Sequence, residues 1–261
     1  MKTPISRMIF KLKREIFLRC LLKKQNNIPT MRLGGVYGGW DIPTNALTDQ
    51  SICYLAGAGE DITFDIALSA KYGCHIHIID PTPRAKDHFI DTIKSLKSSV
   101  QSKTGNDEYY PVASNISFDK IHFHPIGLWN KKDIIKFYAP QNENHVSHSA
   151  LNLQRTTNFF EASVLPVSDL MNQLNHRQLD LLKLDIEGAE YNVIEDILIS
   201  KIPIKILCIE FDETHTPIDR DFHKRIKKSI HLLQKAGYKI INIDKEFNFT
   251  FIYKNHLSDI I

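Results

Sequence analysis

Three stretches of this chain bring together residues able to handle a charged, nucleoside-bearing ligand. The first is Gly57-Ala58-Gly59-Glu60-Asp61, with Asp80 a strand and a helix further on. Glycines at a strand-to-helix turn let the backbone bend tightly and approach a ligand, with a helix N-terminus behind it. An acid closing the following strand can accept both hydroxyls of a ribose. A dinucleotide site wants a third glycine beside the pyrophosphate, but Glu60, Asp61 and Ile62 follow Gly59 here. Two carboxylates at that place repel a pyrophosphate and suit the ammonium and sulfonium groups of S-adenosylmethionine.

The second stretch, Asp180 to Glu190, reads DLLKLDIEGAE. A buried strand there delivers Asp185, Glu187 and Glu190 to a carboxyl edge, where α/β sheets bind ligands. Capping is the competing reading, with Asp185 or Glu187 serving helix amides and Gly188 making the turn. The third stretch is Ile209 to His215. Glu210 lies inside an apolar strand, where an unpaired charge is expensive, so it must meet a partner or line the cleft. His215 can serve as a general base near neutral pH. The pairs His75/His77 and His122/His124, with His145 and His148, raise a metal reading. No HExxH pattern accompanies them and spacing assembles no set of three or four ligands, so no metal is expected.

These residues need elements to hold them. From Ser51 onward, strands alternate with helices, which favours a parallel sheet. Strands are expected at Ile52–Ala56, His75–Ile79, Ile121–Phe123, Leu181–Ile186 and Ile204–Phe211. Helices are expected over Asp61–Tyr72, Pro83–Ser98, Val167–Leu174, around Tyr191–Leu198, and over Phe222–Ala236. A hairpin should contain Ile134–Tyr138, and Tyr238–Ile243 with Phe247–Tyr253 should form a terminal one. Gln101–Tyr110 reads as an exposed polar loop. Asn142–Phe160 is polar and aperiodic, able to close over an acceptor. Trp40 and Trp129 could each stack on a sugar ring or fill the core.

The domain proper is expected over 34–261. Residues 1–33 form an extension led by a basic amphipathic helix. Its segment 1–24 carries eight Lys/Arg against one acid, a net +7, leaving −4 on the remainder of a chain whose total is +3. Ile5, Met8, Ile9, Leu12 and Ile16 make its apolar stripe. That stripe either packs on the body or a second copy of the chain, giving a homo-oligomer, or rests on anionic lipid. The mildly acidic body gives no electrostatic case for nucleic acid. Four scattered cysteines without CxxC spacing support neither a disulfide scaffold nor a zinc knuckle and suit a reducing cytoplasm. No apolar run approaches the roughly 18 residues of a membrane span, so a cytoplasmic protein, with contact at the inner membrane face as an option, is expected.

With these motifs in view, the chain resembles the FkbM family of methyltransferases over roughly Gly34 to Tyr253. The resemblance rests on Gly57–Asp65 (GAGEDITFD), Ile79–Pro83 (IDPTP), Gly127-Leu128-Trp129, and above all Leu182–Glu190 (LKLDIEGAE). It implies a class I, Rossmann-like methyltransferase sheet, doubly wound and mostly parallel, with a C-terminal antiparallel hairpin. It also implies S-adenosylmethionine as donor and an oxygen acceptor on a sugar or polyketide-type product. Within the family, the motifs are most similar to a bacterial branch associated with surface polysaccharides. By the resemblance, Gly57, Gly59, Glu60 and Asp61 belong to the first cofactor motif and Asp80 to the ribose acid. Gly127 and Leu128 fall near the adenine edge, and Asp185, Glu187 and Glu190 beside the methyl group. The strand-one acid of the broad methyltransferase pattern is missing at Leu55 and Ala56, so Glu60 or Asp61 must engage the methionine ammonium. Asp185 or Glu187 is expected to take the acceptor proton, with His215 as the alternative base. An NAD-dependent oxidoreductase and a non-catalytic methyltransferase-like adaptor are the competing classes.

Overall fold

The computed structural model describes residues 4–22, 28–110, 115–140, 148–152, 156–215 and 217–258. A helix, α1 (Pro4–Leu22), leads to an antiparallel ribbon of β1 (Thr30–Leu33) and β2 (Trp40–Pro43). Alternation follows through β3 (Ile52–Ala56), α2 (Thr63–Tyr72), β4 (His75–Ile79), α3 (Pro83–Lys97) and β5 (Ile121–His124). A small separate sheet comes next, from β6 (Gly127–Leu128), β7 (Asp133–Tyr138) and β8 (Phe159–Leu165). The chain then runs through α4 (Val167–Gln173), β9 (Leu179–Leu184), α5 (Glu190–Ile199), β10 (Ile204–Glu210) and α6 (Phe222–Ala236). It closes with the hairpin of β11 (Tyr238–Ile243) and β12 (Asn248–Tyr253).

The main sheet has seven strands in the order β11-β12-β10-β9-β3-β4-β5. The five from β10 to β5 are parallel, and β12 runs antiparallel to both its neighbours. This is the doubly wound sheet with a terminal antiparallel hairpin that the resemblance implied. The winding reverses between β3 and β9, the point at which such sheets bind ligands outside their carboxyl ends.

The strands are apolar on both faces because helices cover both. On one face Tyr54, Ala56, Leu182, Leu184, Leu207 and Ile209 pack against α4, α5 and α6. On the other, Cys53, Leu55, Leu181, Ile206 and Cys208 pack against α2, α3 and the ribbon residues Trp40 and Ile42. Each such large apolar side chain contributes about 1.5–3 kcal/mol by leaving water. Trp40 is thus a core residue. Lys183 follows the alternation onto this second face and is buried within it.

Gln101–Tyr110 is a mostly exposed loop, as expected, but it is tied in at Tyr110, which is buried with its hydroxyl accepting from Ile62 N and bonding to His88 Nε2, and at Gly105, whose N donates to Glu60 O. One expectation changes: the stripe of α1 is reversed. Phe10 packs on Phe222 and Phe17 is buried beside Lys227, both on α6, whereas Met8, Ile9, Leu12 and Ile16 are exposed. The side chain of Ile5 lies outside the described residues. Among the described residues, no helix is long and apolar enough to cross a membrane.

Candidate active site

The carboxyl edge is built around Gly57. Its φ is +84°, and a Cβ there would lie 1.7 Å from the carbonyl oxygen of Asp185. Only glycine lets the turn after β3 press against the end of β9. Asp80, at the end of β4, is buried and braces this turn. Its Oδ2 accepts from Ala58 N (2.9 Å) and Gly59 N (3.0 Å). Its Oδ1 accepts from Thr82 N (2.8 Å) and Thr82 Oγ1 (2.6 Å), which also ties down the start of α3. All four acceptor positions of the carboxylate are in use within the protein.

Glu60 and Asp61 are also engaged. Arg84 straddles Glu60, with Nε 3.0 Å from Oε1 and a terminal nitrogen 2.9 Å from Oε2. Asp61 Oδ1 accepts from the amide and hydroxyl of Thr63, and its Oδ2 accepts from Gly38 N at 3.2 Å. Arg84 neutralises Glu60, so Asp61 is the acid of the pair that bears on the cleft. Glu108 holds the glycine turn of the ribbon through Val36 N and Tyr37 N, and Thr63 Oγ1 accepts from Gly35 N. These anchors place Tyr37 at the rim. Partial desolvation, then the charges of Asp185, Glu210, Glu187 and Asp61, push its phenol pKa up.

The opposite side of the edge is dense with acids. Asp185 Oδ2 lies 3.0 Å from Lys183 Nζ, which also donates to Gly57 O at 2.6 Å. Burial works against the charge of Lys183, but Asp185 and Asp65 outweigh it and hold the pKa above its ordinary value. Burial raises Asp65 to about 7 despite that lysine. Glu187 has a left-handed backbone (φ +53°), and its carbonyl accepts from Ser149 Oγ while Leu151 packs over Gly188. The capping reading falls on Glu190, whose Oε1 accepts from Ile186 N and Gly188 N, both at 3.1 Å. Its Oε2 is buried with no hydrogen-bond partner among the described residues, and burial raises its pKa to about 8.

Glu210 is raised to about 7, chiefly by burial and then by Asp185; its Oε1 lies 3.4 Å from His215 Nε2. That nitrogen is also 3.0 Å from Glu246 O. Asp212 is likewise raised to about 7 by burial and the charge of Glu190. The spacing had marked Glu210 as an anomalous charge, but not as a base. Asp212 and Tyr37 were not singled out, since only the fold brings the ribbon turn and the segment after β10 to the acids.

Asp185, Glu187, Glu210, His215, Asp61 and the Gly57–Gly59 turn therefore share one edge. Gly127 and Leu128 belong to the small sheet, buried against Val164, Leu165 and Phe137, just after the turn at His124 whose carbonyl accepts from Asp80 N. The polar segment 142–160 is described only in part. His145 lies outside the described residues, whereas Ser149 and Leu151 cover the acidic turn. The strand histidines gather on the α4 face: His77 Nδ1 is 3.0 Å from His124 Nε2, with His122 and His176 beside them. His77, His122 and His124 border a cleft of about 670 Å³ at the β5 edge. Among the described residues, no group of three or more His, Cys, Asp or Glu is arranged to hold a metal.

A sheet of this order, with a glycine turn and acids at its reversal point, defines a class I methyltransferase fold. The methyltransferase FkbM domain family matches residues 55–240, most of the chain, and the chain belongs to that family. Family and fold support methylation with S-adenosylmethionine as the donor. Among solved structures, the chain is similar to a fibrillarin pre-rRNA processing protein of Methanococcus jannaschii. The identity is 14% and the TM-score 0.41, over 82% of this chain and 69% of that one. It is also similar to a METTL16 MTase domain at 10% identity and TM-score 0.39, over 78% of this chain and 60% of that one. A comparison with curated proteins finds no match.

Proposed function

We propose that this protein transfers a methyl group from S-adenosylmethionine to a hydroxyl of a sugar- or glycan-type acceptor, with Glu210 and His215 managing the proton. The observation that carries the reading is the excess of negative charge at the reversal point. Glu210 and Asp212 are both raised to about 7, first by burial and then by the neighbouring carboxylates Asp185 and Glu190 respectively. A ligand bearing ammonium and sulfonium charges relieves that crowding, so the residues present fit the donor. The Gly57–Gly59 turn, braced by Asp80, would hold its nucleoside end, and Asp61 with Asp185 its charged end. Bound there, it supplies an electrophilic methyl group.

The protein's own work is positioning and proton transfer. Asp185 is tied to Lys183, which makes it a fixed charge more than a mobile base. Glu210 carries no such cation, and its proton affinity is matched to neutral pH, where general bases act best. His215 beside it can pass the proton toward solvent. Tyr37 at the rim and Ser149 and Leu151 over the acidic turn border the space an acceptor would enter. The bacterial polysaccharide association favours a glycan among hydroxyl acceptors.

Calorimetric titration with S-adenosylhomocysteine and, separately, with NADH tests the donor site. Binding of S-adenosylhomocysteine alone, weakened by Asp61→Asn, is the expected result. Binding of NADH alone would sink the reading in favour of an oxidoreductase, and silence from both would leave the adaptor. For the proton role, Glu210→Gln should keep S-adenosylhomocysteine affinity and lower methyl transfer to a glycan hydroxyl by roughly 10²–10⁴-fold. An unchanged rate would remove Glu210 from that role.

A further inference from the structure

Helix α1 carries two apolar stripes, and the fold uses only one. Phe10 and Phe17, two turns apart, grip α6 through Phe222 and the ammonium of Lys227. The second stripe, Met8, Ile9, Leu12 and Ile16, is left in water, with exposures from 48% to 68%. Four large apolar side chains together on one helix surface mark a contact site more than ordinary surface scatter. Lys11 and Lys13 are exposed alongside them.

The helix that α1 rests on extends the same character. α6 reads FHKRIKKSIHLLQKA and contains no acid. Phe222, Ile226, Ser229, Ile230 and Leu233 are buried, which leaves Lys224, Lys227, Lys228, His231 and Lys235 exposed on the outward side. Lys227 lies at the seam, over the ring of Phe17. Lys11 and Lys13 on α1 and the exposed lysines of α6 therefore set cations beside an apolar stripe, in a chain whose segment 1–24 carries a net +7 by sequence.

We propose that this face docks on an anionic lipid surface, with Met8, Ile9, Leu12 and Ile16 entering the boundary between headgroups and acyl chains. An amphipathic helix with cations flanking large apolar residues binds by these two forces together. The charge argues against a second copy of the chain, since a twofold contact would set one cationic face on another. The apolar centre argues against nucleic acid, which would meet cations and polar groups there. Phe10 and Phe222 place the first half of α1 at the start of α6, just after the 212–214 turn that follows β10. The docked face thus borders the carboxyl edge, and an acceptor presented at a membrane surface would lie within its reach. Only that last step rests on the proposed methyl transfer; the docking does not.

The test is flotation of the full chain with vesicles of phosphatidylcholine alone and of phosphatidylcholine mixed with phosphatidylglycerol. Binding only to the mixed vesicles, weakened by salt, is expected. Leu12→Glu with Ile16→Glu should abolish it, and Lys228→Glu with Lys235→Glu should weaken it at least roughly tenfold. All four positions are exposed, so each double variant should keep the wild-type melting curve. Unchanged vesicle binding in either would overturn the proposal. So would light scattering showing a wild-type dimer that Leu12→Glu with Ile16→Glu makes monomeric, or capture of random duplex DNA in place of vesicles.

Discussion

On the β3–β4 side of the carboxyl edge every carboxylate is occupied. Asp80 accepts four hydrogen bonds, Glu60 is straddled by Arg84, and Asp61 holds Thr63 and Gly38. On the β9–β10 side Glu190 keeps a buried oxygen without a partner among the described residues, and Glu210 and Asp212 are raised to about 7. Both sides use Asp and Glu at strand ends, so residue type does not distinguish them. The first side is a finished scaffold that fixes the shape of a turn. The second holds charge in reserve, at the cost of its own stability, where a cationic ligand and a proton have to be handled.

The scaffold side should fail most severely when its geometry is violated. Gly57→Ala forces a Cβ into the Asp185 carbonyl at a positive φ and should cost at least about 4 kcal/mol. Denaturant unfolding would show this as a lowered midpoint, and a loss under about 1 kcal/mol would mean the turn can move away from β9. Asp80→Ala comes next. It strands three backbone amides, of Ala58, Gly59 and Thr82, and should cost about 3 kcal/mol. Lost nucleoside binding in this variant alone would therefore not identify a ribose contact. Weakened binding with an unchanged melting curve would instead show that Asp80 spends its acceptors on the ligand.

The strands were legible in the sequence because Ile and Leu dominate segments buried on both faces, and the reversal at β3 and β9 follows from their alternation with helices. Gly57 and the acids were legible by type and place. Their division of labour was not, because it depends on partners distant in sequence. Asp80 finds Thr82 and two turn amides, Glu60 finds Arg84, and Asp185 finds Lys183. Tyr110 escaped notice because a tyrosine closing a polar loop carries no periodic signal. In α1 the residues Phe10 and Phe17 share helical spacing just as Met8, Ile9, Leu12 and Ile16 do. Periodicity reports that a helix has an apolar side, and only packing decides which side docks.

On the charged side the variants should run the other way, toward gain. Glu190 is raised to about 8 from an ordinary value near 4.5, so the folded state holds its proton longer than the unfolded chain. Its contribution is fully present below pH 4.5 and is lost as pH rises through 8. Glu190→Gln keeps an acceptor for Ile186 N and Gly188 N and removes the titration. It should gain on the wild type between those limits, by about 2 kcal/mol at pH 7 after allowing for the buried amide. Parallel stability–pH curves for the two proteins would show that this acid is compensated and not held in reserve.

The smallest effect belongs to the histidines at the far edge, and it sharpens the comparison by carrying the opposite sign. His77 is lowered to about 3 by burial first, then by His124, His176, His122 and His75, and its Nε2 is buried without a partner among the described residues. The unfolded chain protonates this residue below about pH 6.5 while the folded state does not, so stability falls with acidification from there toward pH 3. His77→Phe removes that loss at the expense of the bond to His124 Nε2. The gap between variant and wild type should shift in favour of the variant by about 1.4 kcal/mol from pH 7.5 to 5.5. Tracking the unfolding midpoint across that interval separates the two sources of pH sensitivity. The acids of the carboxyl edge weaken the fold as pH rises, the histidines weaken it as pH falls, and a His77→Phe curve parallel to wild type would place the acid-side loss elsewhere.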